Sequence, residues 1–297
     1  LVSSIVDHRE VWLFGTNSVE VWYNAGTADF PLARIQGAFN EIGCAAAYSV
    51  AKLDNALFWL GSDARGNGIV YRANGYTGQR ISTHAVEWHI QQYSDISDAV
   101  AYTYQQDGHA FYVLNFPTAN VTWVYDVATQ AWHERSGLLN GQFTRHRSNC
   151  QMNFNGEIVV GDYENGKIYA FDQDAYDDAG TITKWLRSWR ALPTGQNNLK
   201  RTAHHSLQLD CESGVGLIVG QGNDPQVMLR WSDDGGHTWN GDRWASMGKI
   251  GEYGRRVIWR RLGMTTKIRD RVYEVSGTDP VKIAIMGAEL IVSETDA

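Results

Sequence analysis

Residues 57–71 read LFWLGSDARGNGIVY. An apolar run ends at Gly61, a polar and glycine-rich turn follows, and a second apolar run, Ile69–Tyr71, closes the stretch. Two short apolar runs around such a turn read as a β-hairpin. The same pattern occurs three more times. Val11–Gly15 precedes a turn and Val19–Tyr23; Phe111–Asn115 precedes a turn and Thr122–Asp126; Glu157–Gly161 precedes a turn and Lys167–Ala170. Aligned on Gly15, Gly61, Asn115 and Gly161, the units are 46, 54 and 46 residues apart. Each second strand carries an aliphatic–aromatic pair: Val21-Trp22, Val70-Tyr71, Val124-Tyr125 and Ile168-Tyr169.

Working outward, each unit after the first is preceded by another short candidate strand, at Ala45–Ala51, Ala99–Tyr104 and Arg147–Asn153. A tail such as Gln79–Thr83 or Trp132–Ser136 often follows. About four strands in a period of about 40–50 residues is the signature of a β-propeller. One such sheet cannot bury both its faces alone, and radial stacking covers them with neighbouring blades. A β-sandwich with coincidentally similar hairpins is the plainer alternative. The expected fold is therefore all-β and propeller-like. It is expected as a single domain over 1–297, with approximate repeats 8–44, 45–95, 96–145, 146–200 and 201–297. No stretch reads as a long amphipathic helix. The 5 prolines sit at apparent turns, and the 30 glycines suit a hairpin-rich chain. Residues 187–200 read as a connection between blades. The run VKIAIMGAELIV, residues 281–292, reads as a last strand that pairs with an early blade to close the ring.

A second stretch, residues 228–244, reads MLRWSDDGGHTWNGDRW. Ser232, Asp234, Gly236 and Trp239 form the pattern S-x-D-x-G-x-x-W. Ser232 and Asp234 are short side chains that accept hydrogen bonds from nearby backbone N–H groups and so fix a turn. Gly235 and Gly236 tolerate the positive φ of a tight hairpin, and Trp239 packs back as a large apolar weight. The pattern resembles the Asp-box of sialidases and other propeller proteins, where it is a structural device.

Composition narrows the class. Aromatic residues are 12% and charged residues 20% of the 297, which excludes a disordered or fibrous chain. The formal charge is −7, so the chain as a whole is no general nucleic-acid binder. The charge is uneven: residues 181–271 hold 15 Lys+Arg against 8 Asp+Glu, a net of +7, which leaves −14 on the remainder. Two faces with different partners are expected from that asymmetry. Cys44, Cys150 and Cys211 are few and far apart, so neither a disulfide framework nor a zinc site is expected, and a reducing cytoplasm suits synthesis. No run has transmembrane length and no signal peptide is visible. The first residues are Leu-Val-Ser-Ser rather than Met, which reads as a fragment or a processed product.

The C-terminal third carries a more specific likeness. LRWSDDGGHTW, then GKIGEYGRRVIWRRLG, then RDRVYEVSGTDPVKIAIMGAEL resemble the tail-hub proteins of short-tailed bacteriophages, also called packaged-DNA stabilisation proteins. Residues 57–71 share that look. The resemblance covers most of the chain and is strongest over 226–290. It implies a virion structural protein, made in the bacterial host cytoplasm and located in the tail or neck. Such a hub forms a homo-oligomeric, sixfold ring below the portal and its adaptor ring, carries the tail needle and tailspikes, and helps to retain packaged double-stranded DNA. Family members begin well before the residue numbered 1 here, so an absent N-terminal portion is expected.

Candidates for chemistry are few. A metal site needs ligands converging on one point. His84 and His89 lack a Cys partner at ligand spacing, and adjacent His204 and His205 point to opposite faces of a strand. His133, His146 and His237 read likewise as structural or surface residues. Asp172, Asp174, Asp177 and Asp178 lack the spacing and distal Glu of a calcium loop. A sialidase needs clustered arginines, a Tyr nucleophile and an acid. Here there is one Asp-box, and Arg34-Ile35 is only a faint echo of the early arginine motif. No nucleophile elbow, P-loop or dinucleotide fingerprint is present. No enzyme activity, cofactor or metal is expected; the alternative is an Asp-box propeller that binds or hydrolyses glycans. The most interesting set is basic: Arg255, Arg256, Arg260 and Arg261, with Lys267, Arg269 and Arg271 on the next arm. Strand alternation places Arg256, Ile258 and Arg260 on one face, and Arg255, Val257, Trp259 and Arg261 on the other. These arginines are candidates to face DNA phosphate or an acidic partner; salt bridges between blades are the alternative. Trp132 and Tyr102 are candidate exposed anchors for contacts; packing in the core, the more frequent fate of Trp and Tyr in strands, is the alternative.

Overall fold

The computed structural model describes residues 1–64, 66–190, 201–265 and 271–294. Its contacts divide the chain into two compact units, Leu1–Phe171 and Asp172–Ala297. The reading of one domain over 1–297 thus meets two units, and the boundary falls inside the expected repeat 146–200.

The first unit is a succession of antiparallel meanders. The first sheet is β1 (Ser3–Asp7), β2 (Glu10–Phe14), β3 (Val19–Asn24) and β4 (Leu32–Asn40), in that spatial order. The second is β5 (Gly43–Cys44), β6 (Ala51–Leu53), β7 (Ala56–Asp63), β8 (Gly66–Asn74) and β9 (Thr77–Arg80), with β5 and β6 both paired to β7. A helix of two turns, α1 (His84–Gln91), comes next and is capped by the Thr83 side chain, which accepts from the Val86 N–H. The third sheet is β10 (Val100–Gln106), β11 (His109–Phe116), β12 (Val121–Asp126) and β13 (Ala131–Glu134). The hairpin β14 (Ser136–Leu139) and β15 (Gln142–Arg145) precedes a fourth sheet of β16 (Ser148–Phe154), β17 (Glu157–Asp162) and β18 (Ile168–Ala170). The four hairpins read from the sequence are β2–β3, β7–β8, β11–β12 and β17–β18.

Two-sided burial explains why these strands read as unbroken apolar runs. On β7, Leu57 and Trp59 enter a core with Trp12, Phe14, Val19 and Val21 of the first sheet. The alternate residues Phe58 and Leu60 enter a different core with Tyr112, Leu114, Trp123 and Tyr125 of the third sheet, joined by Val86 and Ile90 of α1. On β11 and β12, Val113 and Val124 turn the other way and pack with Tyr102 and Tyr104, where Ile158 of the fourth sheet joins them. Successive residues of a strand face opposite sides, so a sheet between two others must be apolar at both. Ring pairs link the layers: Phe14 meets Trp59 edge-on at 5.5 Å, and Phe58 stacks on Tyr112 at 5.3 Å. At Gly43 the backbone of β5 passes so close to the turn before β3 that a Cβ would lie 1.8 Å from the Thr16 carbonyl oxygen.

The second unit is built differently. Its strands are β19 (Trp185–Arg190), β20 (Thr202–Cys211), β21 (Gln226–Ser232), β22 (Arg243–Ser246), β23 (Val257–Met264), β24 (Val272–Gly277) and β25 (Ile285–Glu294). One sheet has the order β19-β24-β21-β22 and the other β23-β20-β25. The two share a core that includes Leu207, Leu209, Leu229, Met247, Trp259, Tyr273 and Val275. This is a two-sheet sandwich in which the sheets pack face to face, and its central strand β24 is covered on both sides, with Glu274 and Ser276 buried as well as Tyr273 and Val275. The expected fifth repeat over 201–297 is therefore corrected: β20 pairs with both β23 and β25, and no sequential meander forms. The last strand, β25, pairs with β20 of its own unit rather than with an early blade. Of the expected connection 187–200, residues 187–190 belong to β19, and 191–200 lie outside the described residues.

Candidate functional site

The turn between β21 and β22 is self-bracing, as its residue types require. The Ser232 hydroxyl donates to Asp234 Oδ1 at 2.6 Å and accepts from the Gly236 N–H at 2.9 Å. Asp234 Oδ1 also accepts from the His237 and Thr238 N–H groups at 2.9 and 2.8 Å, and Oδ2 accepts from the Thr238 hydroxyl at 2.7 Å. The Ser232 and Thr238 hydroxyls, followed by those backbone donors, hold the Asp234 carboxyl well below the usual carboxylate range. Gly235 and Gly236 have φ of 76° and 106°, the left-handed region their lack of a Cβ permits. Trp239 donates its indole N–H to the Gly236 carbonyl at 3.0 Å and lies under the Arg230 guanidinium, 4.7 Å from the ring centre.

Between Ser232 and Asp234 stands a residue the sequence reading passed over. Asp233 forms a bidentate ion pair with Arg271, at 2.6 Å to Nε and 2.7 Å to Nη2. The Arg271 side chain is only 2% exposed. Its remaining N–H groups donate to the Leu262 and Met264 carbonyls at 2.9 and 3.2 Å. Arg271 is thus no member of a surface basic set: it is an internal strut that ties the Asp-box turn to β23. Lys267 and Arg269 lie outside the described residues.

The four other arginines are all exposed. Arg256 donates from Nε to Gln208 Oε1 at 3.0 Å. Among the described residues, no carboxylate lies within ion-pair distance of Arg255, Arg256, Arg260 or Arg261. Salt bridges as their role are therefore unsupported there. The alternation read from the sequence fails at one point. His204 is opposite Gly263 and Ser206 is opposite Arg260, so Arg261 and Leu262 together face the single residue His205. That is a β-bulge, and Arg261 takes φ of 59° within it. Val257, Trp259 and Leu262 are buried, while Arg260 and Arg261 both reach solvent. Two guanidinium groups hold the bulged backbone: Arg271 through the carbonyls of Leu262 and Met264, and Arg243 through those of Arg260 and Arg261, at 3.2 Å each. Arg243 also lies 4.7 Å from the Trp231 ring centre. A shallow depression of about 520 Å³ is lined by Ala203, His204, His205, Arg260, Arg261, Gly263 and Met264.

The histidines are dispersed. His84 and His89 are on α1. His204 is buried between the Tyr273 hydroxyl, 2.7 Å from Nδ1, and the Thr202 hydroxyl, 3.0 Å from Nε2. Burial, then the nearby Arg271 charge, lowers its pKa to about 4. For His146, half-buried beside Ser148, desolvation and then the nearby Arg135 and Arg147 charges lower the pKa to about 3. Exposed His205 bonds the Ser293 hydroxyl. Among the described residues, no three His, Cys, Asp or Glu side chains converge as metal ligands. Asp172 and Asp177 instead accept from the Asp174 and Gly180 N–H groups. Arg34 pairs with Glu20 at 3.0 Å. Tyr102 and Trp132 take the core alternative rather than serving as exposed anchors: Tyr102 is buried, and Trp132 packs beside the core and donates its N–H to the Ile81 carbonyl. Trp244 and Tyr253, in the second unit, are exposed instead. That unit also holds a cavity of about 1140 Å³ lined by Trp185, Trp189 and Tyr176 with Asp174, Asp177 and Arg187.

Two family models match the chain. One, described as the β-propeller of bacteriophage P22 Gp10, matches residues 1–176; the other, described as the β-sandwich of the same protein, matches residues 184–293. No curated protein matches the chain.

Proposed function

The chain belongs to the bacteriophage P22 Gp10 family of phage structural proteins, and from that premise we propose that it acts as a tail-hub subunit at the neck of a phage particle. The observation that carries this reading is the order of the two matches, propeller then sandwich, over nearly the whole length. In the proposed role, copies of the chain assemble head-to-tail in a ring, with six subunits expected. Head-to-tail contacts require two different, complementary surfaces on each subunit, and the split of +7 against −14 suits that pairing. The ring joins the portal and its adaptor to the tail needle and tailspikes, and helps to retain packaged double-stranded DNA. Arg255, Arg256, Arg260 and Arg261 are the surface offered to DNA or to an acidic partner. The Asp-box residues Ser232, Asp234, Gly236 and Trp239 have a structural part, since their polar groups are spent on their own turn.

Mass spectrometry on purified DNA-filled particles, and on tails detached from them, tests the role. Peptides of this chain are expected in the tail fraction at the copy number of other neck-ring proteins. Their absence from particles would end the virion reading. A second reading, glycan binding, is favoured by the aromatic and acidic lining of the cavity in the sandwich unit. Glycan-array binding that is lost on Trp185→Ala would support it.

A further inference from the structure

The geometry points to an oxyanion notch at the bulge of β23, in which Arg260, Arg261 and His205 hold a phosphate group of a phosphodiester polyanion. In a regular strand, consecutive side chains point to opposite faces, and one of two adjacent arginines would face the core. The bulge removes that alternation. Arg261 adopts φ of 59°, and both guanidinium groups emerge beside His205 around one depression. A non-glycine residue in this backbone region is held there by its surroundings, and such sites concentrate at functional positions. Here the surroundings are the two structural arginines, Arg243 and Arg271, whose donors engage four carbonyls of the bulged strand. They satisfy the backbone, so the side chains of Arg260 and Arg261 are free of that task.

The donor set favours phosphate over carboxylate. One guanidinium fork matches the two oxygens of one carboxylate. Two adjacent forks and an imidazole offer more N–H groups than a carboxylate can accept on one side, whereas a phosphate presents oxygens in several directions. The charge also continues along the strand. Arg256 is four residues before Arg260 on the same outer face, about 13 Å away at the rise of a strand, and Arg255 is beyond it. Gln208, which already binds Arg256, pairs across the strands with Ile258, between the two arginines, and buried Ser206 stands opposite Arg260. Acidic residues flank the far end of the stripe: Asp210 follows the Leu209–Val257 pair, opposite Arg256, and Glu289 of β25 pairs with Gln208, whereas among the described residues no acidic residue lines the depression at Arg260 and Arg261. A single small anion meets one end of this stripe; a chain of repeating charges meets both.

The inference deepens the DNA-retention reading and rests on it for the identity of the polyanion. The test uses the whole 297-residue chain and a short fluorescein-labelled DNA duplex, followed by fluorescence anisotropy over a series of chloride concentrations. The expected result is binding that weakens with salt. The double variant Arg260→Ser, Arg261→Ser should lose roughly tenfold in affinity and flatten the logarithmic salt slope by about 2, one unit for each lost phosphate contact. Arg260→Lys with Arg261→Lys, which keeps the charge without the forks, should regain the slope but only part of the affinity. Inorganic phosphate at matched ionic strength should displace the duplex. Absence of binding, an unchanged affinity and slope in the serine variant, or failure of phosphate to compete would overturn the notch. Polyglutamate binding as tightly as the duplex, and lost in the same variant, would overturn it too and assign an acidic protein partner. Circular dichroism of each variant controls for folding. The assay involves no particles, so its failure leaves the mass-spectrometric test of the virion role untouched, and absence from particles leaves a positive binding result standing.

Discussion

Asp233 and Asp234 are sequence neighbours with unlike tasks. Asp234 organises a solvent-facing turn, while Asp233 neutralises a guanidinium that has left water. Removing one partner of a buried pair strands the other charge, which costs about 3–5 kcal/mol. Asp233→Ala is therefore expected to destabilise the sandwich unit by about 3 kcal/mol in urea unfolding. Adding Arg271→Met should recover part of that loss, because an apolar stem then fills the site without a charge. His204 sets a pH dependence. Its pKa of about 4 lies below the ordinary histidine value of 6.5, because burial and then Arg271 disfavour the imidazolium. Between those values the unfolded chain binds a proton that the folded chain refuses, so stability must fall as pH drops through that window. His146, at about 3, acts in the same direction in the first unit. A thermal-denaturation series from neutral to acid pH should show the decline, and His204→Gln should make it shallower for the sandwich unit.

At the scale of elements, the close approach at Gly43 gives the sharpest expectation. A Cβ there meets the Thr16 carbonyl at 1.8 Å, and backbone on both sides leaves no flexible group to move aside. Gly43→Ala should force β5 away from the first sheet, with a lower melting temperature and faster amide exchange in β5 and at the turn before β3. The contrast between the two units shows what sequence can carry. The hairpins of the first unit were legible because consecutive strands pair with one another, and in the second and third sheets β7, β8, β11 and β12 are buried on two sides, so residues 57–60 and 111–114 stand out as apolar runs. In the second unit β19 finds β24, and β20 finds β23 and β25, across long stretches of chain. No local pattern encodes those pairings, and 201–297 looked like another repeat. The Asp-box was legible because its bonds span at most four residues. The arginine edge was legible as a charge cluster but not as a shape: alternation fails at the bulge, and the burial of Arg271 depends on Asp233, 38 residues earlier.

The whole molecule has two compact units, each with cores of its own. Units with separate cores are expected to unfold as separate cooperative transitions. Differential scanning calorimetry should resolve two. Phe58→Ala, which removes a ring fully buried between the second and third sheets, costs about 3–5 kcal/mol and should move one transition. Asp233→Ala should move the other. A single transition shifted equally by both substitutions would refute the independence of the units.

The left-handed backbone at Arg261 has a consequence for selection in the laboratory. Glycine occupies that conformation without the penalty of roughly 1 kcal/mol that a side chain incurs. Arg261→Gly should therefore raise the melting temperature of the sandwich unit while abolishing one of the two charges at the notch. A library sorted on heat resistance alone would enrich that allele, and a library sorted on duplex capture would purge it. The two screens, run on the same pool, should part company at this codon.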